Sequence, residues 1–80
     1  MSAGKILIVD DSEPSRILLM EILSAEGYDV RPADSGALAL SAVEADPPEL
    51  ILLDMRMPGM DGLEVARRIR EDHLPVEPLS

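Results

Sequence analysis

The chain alternates between short runs of apolar residues and longer segments in which apolar residues recur every three or four positions. The run KILIV (Lys5–Val9) leads into an acidic pair, and the run LILL (Leu50–Leu53) leads into Asp54. Continuous apolar runs of this length are typical of strands that are buried on both faces of a sheet. We therefore predict two buried strands, each of which ends at an aspartate.

A third candidate strand, YDVRP (residues 28–32), has a different pattern. Apolar and polar residues alternate along it, and a proline closes it. Alternation and a residue without a backbone N–H are features of a strand at the edge of a sheet. We predict that this segment is an edge strand.

Helical periodicity fills the segments between and after these strands. Apolar residues recur at helical spacing over residues 12–26, 36–45 and 62–71, which predicts three helices. Ser12 is the expected cap of the first helix, and Gly27 is expected to end it in the left-handed conformation. The residues predicted to face the core are Leu18, Leu19, Ile22 and Ala25 in the first helix, Leu40 and Val43 in the second, and Val65, Ala66 and Ile69 in the third.

The order βαβαβα is typical of an α/β fold with a parallel sheet. Since the alternating strand belongs at an edge and the two apolar strands belong inside, we predict the strand order 2-1-3, a partial doubly wound sheet with a further strand beyond the third. Right-handed crossovers then place the first helix on one face and the other two helices on the opposite face. In such sheets the ligand crevice lies at the carboxyl ends of the strands where the chain reverses direction, here between strands one and three.

Three carboxylates are predicted to meet at this crevice. Asp10 and Asp11 follow the first strand, and Asp54 follows the third. At a separation of about 4 Å and an effective dielectric constant near 20, two like charges repel by roughly 4 kcal/mol. Such a site raises carboxyl pKa values or recruits a cation, and oxygen ligands suit Mg²⁺. A carboxylate beside that ion is placed to act as a nucleophile toward phosphorus.

A simpler role for these acids is also open. An aspartate that follows a strand often forms a turn or caps a helix. Because Ser12 is available as the cap, neither Asp10 nor Asp11 is needed there, and three acids at one crevice favour a functional site.

Composition narrows the functional classes. With 80 residues the chain is one small domain, and its formal net charge of −9 argues against a nucleic-acid or anionic-membrane partner. It has no cysteine, so disulfides and thiolate metal sites are excluded, and no apolar run approaches membrane-spanning length. We therefore expect a soluble, cytoplasmic protein. Arg16 is expected to be a surface charge paired with a nearby acid.

Taken together, these residues resemble the receiver domain of two-component response regulators. The resemblance rests on KILIVDDSEPSR, EGYDVRPADSGALAL and PPELILLDMRMPGMDGLEVARRIR and covers nearly all of the chain. It implies a flavodoxin-like fold and a role as the phosphoryl acceptor of a phosphorelay, not as an enzyme. It also implies that Asp54 is the acceptor, that Asp11 and Asp54 bind Mg²⁺ directly and Asp10 through water, and that the backbone carbonyl of Arg56 completes the protein ligands.

The resemblance further implies the partner. The phosphoryl donor is expected to be a phosphohistidine on a sensor histidine kinase or a histidine phosphotransfer protein. In the family this partner docks against the first helix beside the site. Ile17 and Met20 fall outside the predicted core stripe of that helix and are candidate contacts.

The sequence also departs from the family pattern. A receiver domain has five strands and five helices, and this chain matches about three-fifths of it, so we predict one truncated receiver domain over residues 1–80. The strand that ends in a phosphoryl-binding lysine has no counterpart. The tail LPVEPLS (residues 74–80) resembles a degraded fourth strand, which places Ser80 at the position of a phosphoryl-binding hydroxyl. We expect the third strand to expose an apolar edge through which a homodimer can form.

Two other functions stay open on the sequence alone. One is an interaction or dimerisation module that derives from a receiver domain and is not phosphorylated. The other is a metal-dependent phosphohydrolase of the same α/β class with an aspartyl nucleophile, which needs acids and a lysine outside this chain.

Overall fold

A computed structural model of the chain describes residues 3–54, 62–71 and 75–78. Four of the predicted elements have the predicted bounds, the first helix is one residue shorter at each end, and the second strand is shifted by one residue. In chain order the elements are β1 (Lys5–Val9), α1 (Glu13–Ala25), β2 (Asp29–Ala33), α2 (Gly36–Ala45), β3 (Leu50–Leu53), α3 (Gly62–Glu71) and β4 (Val76–Pro78).

The strands form one parallel sheet in the order β2-β1-β3-β4. This confirms the α/β class and the predicted order 2-1-3, and the tail that resembled a degraded fourth strand forms the short strand β4 beside β3. At the carboxyl end of the sheet Val9 is level with Ala33 on one side and with Leu53 on the other. The chain therefore leaves these three strands at the same edge.

The prediction that β3 exposes an unpaired edge is wrong. Ile51 is paired with Val76 and Leu53 with Pro78, and the amide of Ile51 donates to the carbonyl of Pro75 at 3.0 Å. Pro78 has no backbone N–H to donate to a ladder. In the described part of the chain β4 is the outermost strand, where a missing ladder donor is tolerated.

The main core lies between the sheet and the helices α2 and α3. The predicted core residues Val43, Val65, Ala66 and Ile69 are buried there, and Leu40 is half-buried against them. Complete burial of one aliphatic side chain of this size contributes about 1.5–3 kcal/mol. The buried cluster comprises Leu7, Val9, Ala33, Ala39, Val43, Ile51, Leu53, Val65, Ala66 and Ile69.

Among the described residues, α1 covers the opposite face of the sheet, and it covers that face only in part. The helix packs mainly over β1 and β2. Ile6 and Ile8 on β1 are accordingly buried, whereas Leu50 and Leu52 on β3 are half-buried.

The predicted inward stripe of α1 is wrong for three of its four residues. Leu18 is 57% exposed and Ile22 is 51% exposed, and Ala25 is exposed as well. The fourth, Leu19, is half-buried, in agreement with the prediction. Residues 17–23 contain a single polar residue, Glu21, so apolar periodicity alone does not fix which side of this helix turns inward. The half-buried residues of α1 are Arg16, Leu19, Met20 and Leu23.

The helix ends use local turn chemistry. The hydroxyl of Ser35 accepts a hydrogen bond from the amide of Leu38 at 3.2 Å and caps α2. Gly27 follows the last turn of α1 with φ at +95°, a conformation that favours glycine, as the sequence predicted. At the far end of α2, Asp46 is ion-paired with Lys5 on β1 and with Arg31 on β2, each at 2.9 Å.

Candidate functional site

The acidic site is built on the ends of the two central strands. Because Val9 is paired with Leu53, the next residues, Asp10 and Asp54, leave the sheet side by side. Both keep a backbone bond to the ladder: the amide of Asp54 donates to the carbonyl of Val9 at 2.8 Å, and that of Asp10 donates to the carbonyl of Ala33 at 3.0 Å. The two main chains are therefore held rigidly where the side chains meet.

Three carboxylates converge at this point, as the topology predicted. One oxygen each from Asp10, Asp11 and Asp54 lies within 4.8 Å of the other two. Asp10 is buried, with 5% of its surface exposed, Asp54 is half-buried, and Asp11 is exposed. The cluster thus has one side in the protein and one side open to ligands.

The carboxyl of Asp10 has the most perturbed surroundings of the three. Burial is the main cause that raises its pKa, and the neighbouring carboxyl of Asp54 adds to the rise through a side-chain hydrogen bond and through its charge, as does the charge of Asp11. The amide of Ser12 donates to Asp10 Oδ1 at 2.9 Å and opposes the rise, because it favours the ionised form.

The bond from Ser12 corrects one step of the sequence argument. Ser12 occupies the N-cap position of α1, but its hydroxyl makes no capping hydrogen bond. Instead the carboxylate of Asp10 accepts from the Ser12 amide. Asp10 therefore shapes the turn before α1 as well as belonging to the cluster.

Arg16 is the residue of this region that sequence reasoning missed. It was expected to pair with an acid at the surface, but its Nη1 donates to the backbone carbonyl of Asp10 at 2.8 Å. The available signal was its position on the inward side of α1, which the wrong phase of the helix concealed.

The donor set and spacing of the cluster fit a hard divalent cation. An octahedral Mg²⁺ ion with bonds of 2.0–2.1 Å places opposite ligand oxygens roughly 4.2 Å apart. Carboxylate oxygens within 4.8 Å of one another reach that geometry with a small adjustment or with one bridging water. Two further predicted site residues, Arg56 and Ser80, lie outside the described residues.

Comparison with known proteins identifies the family. Residues 6–79 match the family model described as the response regulator receiver domain. The chain belongs to the response regulator receiver domain family. This confirms the resemblance seen in the sequence.

Two curated relatives are longer than the segment that this chain matches. This receiver chain is 50% identical over 70 residues to sporulation initiation phosphotransferase F of Bacillus subtilis, covering 88% of this chain and 56% of the relative. It is 48% identical over 78 residues to the response regulator PleD of Caulobacter vibrioides, covering 92% of this chain and 17% of the relative. The chain therefore spans little more than half of the first relative and a small part of the second.

Solved structures match the receiver fold over almost the whole chain. The N-terminal domain of a response regulator receiver protein from Methanoculleus marisnigri has a TM-score of 0.93 at 40% identity and covers 99% of this chain and 68% of that one. The response regulator TrrA of Thermotoga maritima, solved in complex with Mg²⁺ and BeF, has a TM-score of 0.84 at 40% identity and covers 98% of this chain and 66% of that one.

We searched the helices of the described residues for candidate membrane spans. None of the helices found there combines the length and the apolar character that crossing a bilayer requires.

Proposed function

We propose that this receiver domain accepts a phosphoryl group on Asp54 from a phosphohistidine of a sensor histidine kinase or a histidine phosphotransfer protein. The observation that carries the proposal is the convergence of three carboxylates within 4.8 Å at the carboxyl ends of β1 and β3. Membership of the receiver family supports the same role. In the transfer, a carboxylate oxygen of Asp54 forms a bond to phosphorus as the bond from phosphorus to the donor histidine nitrogen breaks.

The position of each acid suggests its part in this reaction. Asp54 is half-buried on a main chain fixed by the ladder, which suits a nucleophile that must stay in place. The carboxyl of Asp10 already accepts from Ser12 and shares a hydrogen bond with Asp54, and we propose that it contacts the ion through water. Asp11 is exposed beside them and is proposed to bind the ion directly together with Asp54.

Mg²⁺ is the cofactor that we propose for this site. When bound, it neutralises the carboxylates and the oxygens of the incoming phosphoryl group. We propose that the backbone carbonyl of Arg56 completes its protein ligands and that the hydroxyl of Ser80 contacts the phosphoryl group. Both residues lie outside the described ranges, so these two roles stay predictions.

The partner is proposed to dock on α1 beside the acidic site. Ile17 is 47% exposed on this helix and lies with Pro14 and Leu18 in an apolar groove flanked by Glu13 and Glu21. Met20, the other residue proposed from the sequence, is half-buried on the inward side and is a weaker candidate. The net charge of −9 gives no basis for a nucleic-acid partner, and we expect the protein to act in the cytoplasm.

Phosphorylation of the intact chain tests this function. Incubation with Mg²⁺ and either acetyl phosphate or a phosphorylated histidine kinase should add about 80 Da, the mass of a phosphoryl group, in a hydroxylamine-sensitive form. Asp54→Asn keeps the size of the side chain and removes the nucleophile, so this variant should show no adduct. An adduct that persists in Asp54→Asn would place the chemistry elsewhere.

Two further measurements, of binding to the kinase and of phosphate release from an ester, separate the two alternatives. Binding to the kinase without an adduct would favour an interaction module, and continuous release of phosphate from a small phosphate ester would favour a hydrolase. A homodimer through the edge of β3, which the sequence predicted, loses its basis because β4 is paired with that edge.

A further inference from the structure

Arg16 connects α1 to the acidic site through a bond to the main chain. Its Nη1 donates to the carbonyl oxygen of Asp10 at 2.8 Å, and its side chain is half-buried on the inward side of the helix. The acceptor of this hydrogen bond is a neutral carbonyl group. The contact therefore requires an N–H group that points at the oxygen, and a positive charge alone is not sufficient.

The carbonyl of Asp10 needs such a donor because it lies just past the end of β2. The ladder between β1 and β2 ends at the pair Val9 and Ala33, and the amide of Asp10 still donates to Ala33. Beyond Ala33 the chain turns toward the cap of α2 at Ser35. A longer β2 would supply a backbone N–H to this carbonyl. Among the residues that the structure describes, the side chain of Arg16 donates to it instead.

Three hydrogen bonds close the turn between β1 and α1. The amide of Ser12 donates to Asp10 Oδ1 at 2.9 Å, the amide of Arg16 donates to the carbonyl of Ser12 at 3.0 Å, and the Arg16 side chain returns to the carbonyl of Asp10. Asp11 lies between the bonded residues Asp10 and Ser12. The orientation of the Asp10 and Asp11 backbone is therefore linked to the first turn of α1.

We propose that Arg16 is a positioning residue of the acidic site, which holds the carbonyl of Asp10 so that the carboxylates of Asp10 and Asp11 converge on Asp54. The proposal rests on the proposed function where it concerns ion binding. Its structural part, the fixed turn, concerns the metal-free protein and is independent of phosphoryl transfer.

Positioning and simple electrostatics predict opposite effects of removing Arg16. A cation near three carboxylates repels Mg²⁺, so a residue that acted only through its charge would weaken ion binding, and its loss would strengthen that binding. A residue that positions the ligands strengthens binding, and its loss weakens it. The sign of the change in Mg²⁺ affinity therefore distinguishes the two roles.

The test compares Arg16→Ala, Arg16→Lys and the matched control Arg70→Ala, which removes the same charge from an exposed position on α3. Mg²⁺ affinity is measured by isothermal titration calorimetry on the full chain, after circular dichroism has shown a cooperative melting transition. Arg16→Ala should bind Mg²⁺ about 10-fold more weakly, the lower end of the range for residues that orient metal ligands. Arg16→Lys should lie between this variant and the unchanged protein, and Arg70→Ala should resemble the unchanged protein. Equal or tighter binding by Arg16→Ala would overturn the proposal.

A second measurement needs no metal. Amide hydrogen exchange of Ser12, followed by NMR in the absence of Mg²⁺, should accelerate in Arg16→Ala relative to the amide of Ile51 in β3, and should not change in Arg70→Ala. If Arg16→Ala does not fold, Mg²⁺ affinity and the exchange of the Ser12 amide are both measured on Arg16→Lys instead. Unchanged exchange at Ser12 in the folded variant would overturn the proposal. If the unchanged protein binds no Mg²⁺, the proposed function fails, and the exchange of Ser12 still decides the role of Arg16.

Discussion

Asp10 combines a structural and a functional role in one side chain. Burial and the neighbouring acids Asp54 and Asp11 raise its pKa, so the folded protein binds this proton more tightly than the unfolded chain does. The stability that goes with the bound proton is therefore lost as the pH rises through the folded pKa, which lies above the ordinary aspartate value of about 3.9. Above that pKa the ionised carboxylate opposes folding of the metal-free protein.

Replacing Asp10 with asparagine should consequently stabilise the metal-free protein at neutral pH. Asp10→Asn keeps an acceptor for the amide of Ser12 and removes the buried charge. An increase of roughly 4–8 °C in Tm is expected if the gain is about 1 kcal/mol, the usual scale for a domain of this size. Thermal melting between pH 4 and 8 checks it, and the loss of stability with rising pH should be smaller in the variant.

Asp29→Asn is the matched control for this prediction, since Asp29 is an exposed aspartate at the start of β2. It removes the same charge away from the cluster and should leave the pH dependence unchanged. A lower metal-free Tm in Asp10→Asn than in the unchanged protein would contradict the assignment of Asp10 as a destabilising charge. Calorimetry with Mg²⁺ should show weaker binding by Asp10→Asn, because a ligand charge is gone.

At this scale the sequence predicted which acids meet, but not the bonds that hold them. The meeting of Asp10, Asp11 and Asp54 follows from strand order and strand ends, which the apolar runs define. The bonds from Ser12 and Arg16 to Asp10 depend on the geometry of one turn and on the rotation of α1. Neither is set by a pattern of residue types.

For single strands and helices, the sequence predicts where an element begins and ends better than which side of it faces the core. The predicted bounds of β1 and β3 are confirmed because acidic or glycine and proline residues interrupt the apolar runs on both sides. Most of the inward face of α1 was predicted wrongly because residues 17–23 of that helix are apolar except for Glu21. Tertiary packing, and not local periodicity, selected the half-buried side that carries Leu19 and Leu23.

The rotation of α1 can be tested with two leucines. Leu23→Ala should lower the free energy of unfolding by about 1–2 kcal/mol, less than the 2–5 kcal/mol typical of a fully buried leucine, because Leu23 is half-buried. Leu18→Ala should stay within about 0.5 kcal/mol of the unchanged protein, because Leu18 is 57% exposed and alanine favours helix. Urea unfolding followed by circular dichroism measures both. A larger loss in Leu18→Ala than in Leu23→Ala would restore the rotation predicted from the sequence.

The whole molecule carries a net charge of −9 and concentrates three of its acids at one point. General salt screening and specific ion binding should therefore both stabilise it, by different amounts. The fourth strand matters equally at this scale, because β4 pairs with the apolar strand β3 that the sequence predicted to be exposed. The tail resembled only a degraded strand, yet three of its residues are enough to pair with β3 as the outer strand of the described sheet.

Mg²⁺ should raise the stability of the protein beyond the effect of ionic strength. At a concentration about 100 times the Kd, binding to the folded state alone adds about 2.7 kcal/mol. Thermal melts in MgCl₂ and in NaCl of equal ionic strength separate the two contributions. Asp54→Asn should retain the response to NaCl and lose most of the additional response to MgCl₂, and equal responses to both salts in the unchanged protein would argue against a specific site.

The uneven cover of the sheet has a consequence for how the protein opens. The face under α2 and α3 holds a cluster of ten buried residues, whereas α1 has no buried residue and leaves Leu50 and Leu52 half-buried. Fewer buried contacts mean a smaller free energy of local opening, so α1 can detach while the rest of the sheet stays intact. Under native conditions trypsin should then cleave after Arg16, in α1, sooner than after Arg68, in α3. If the partner docks on α1 as proposed, it meets the least firmly attached helix of the described chain and can reshape it at little energetic cost.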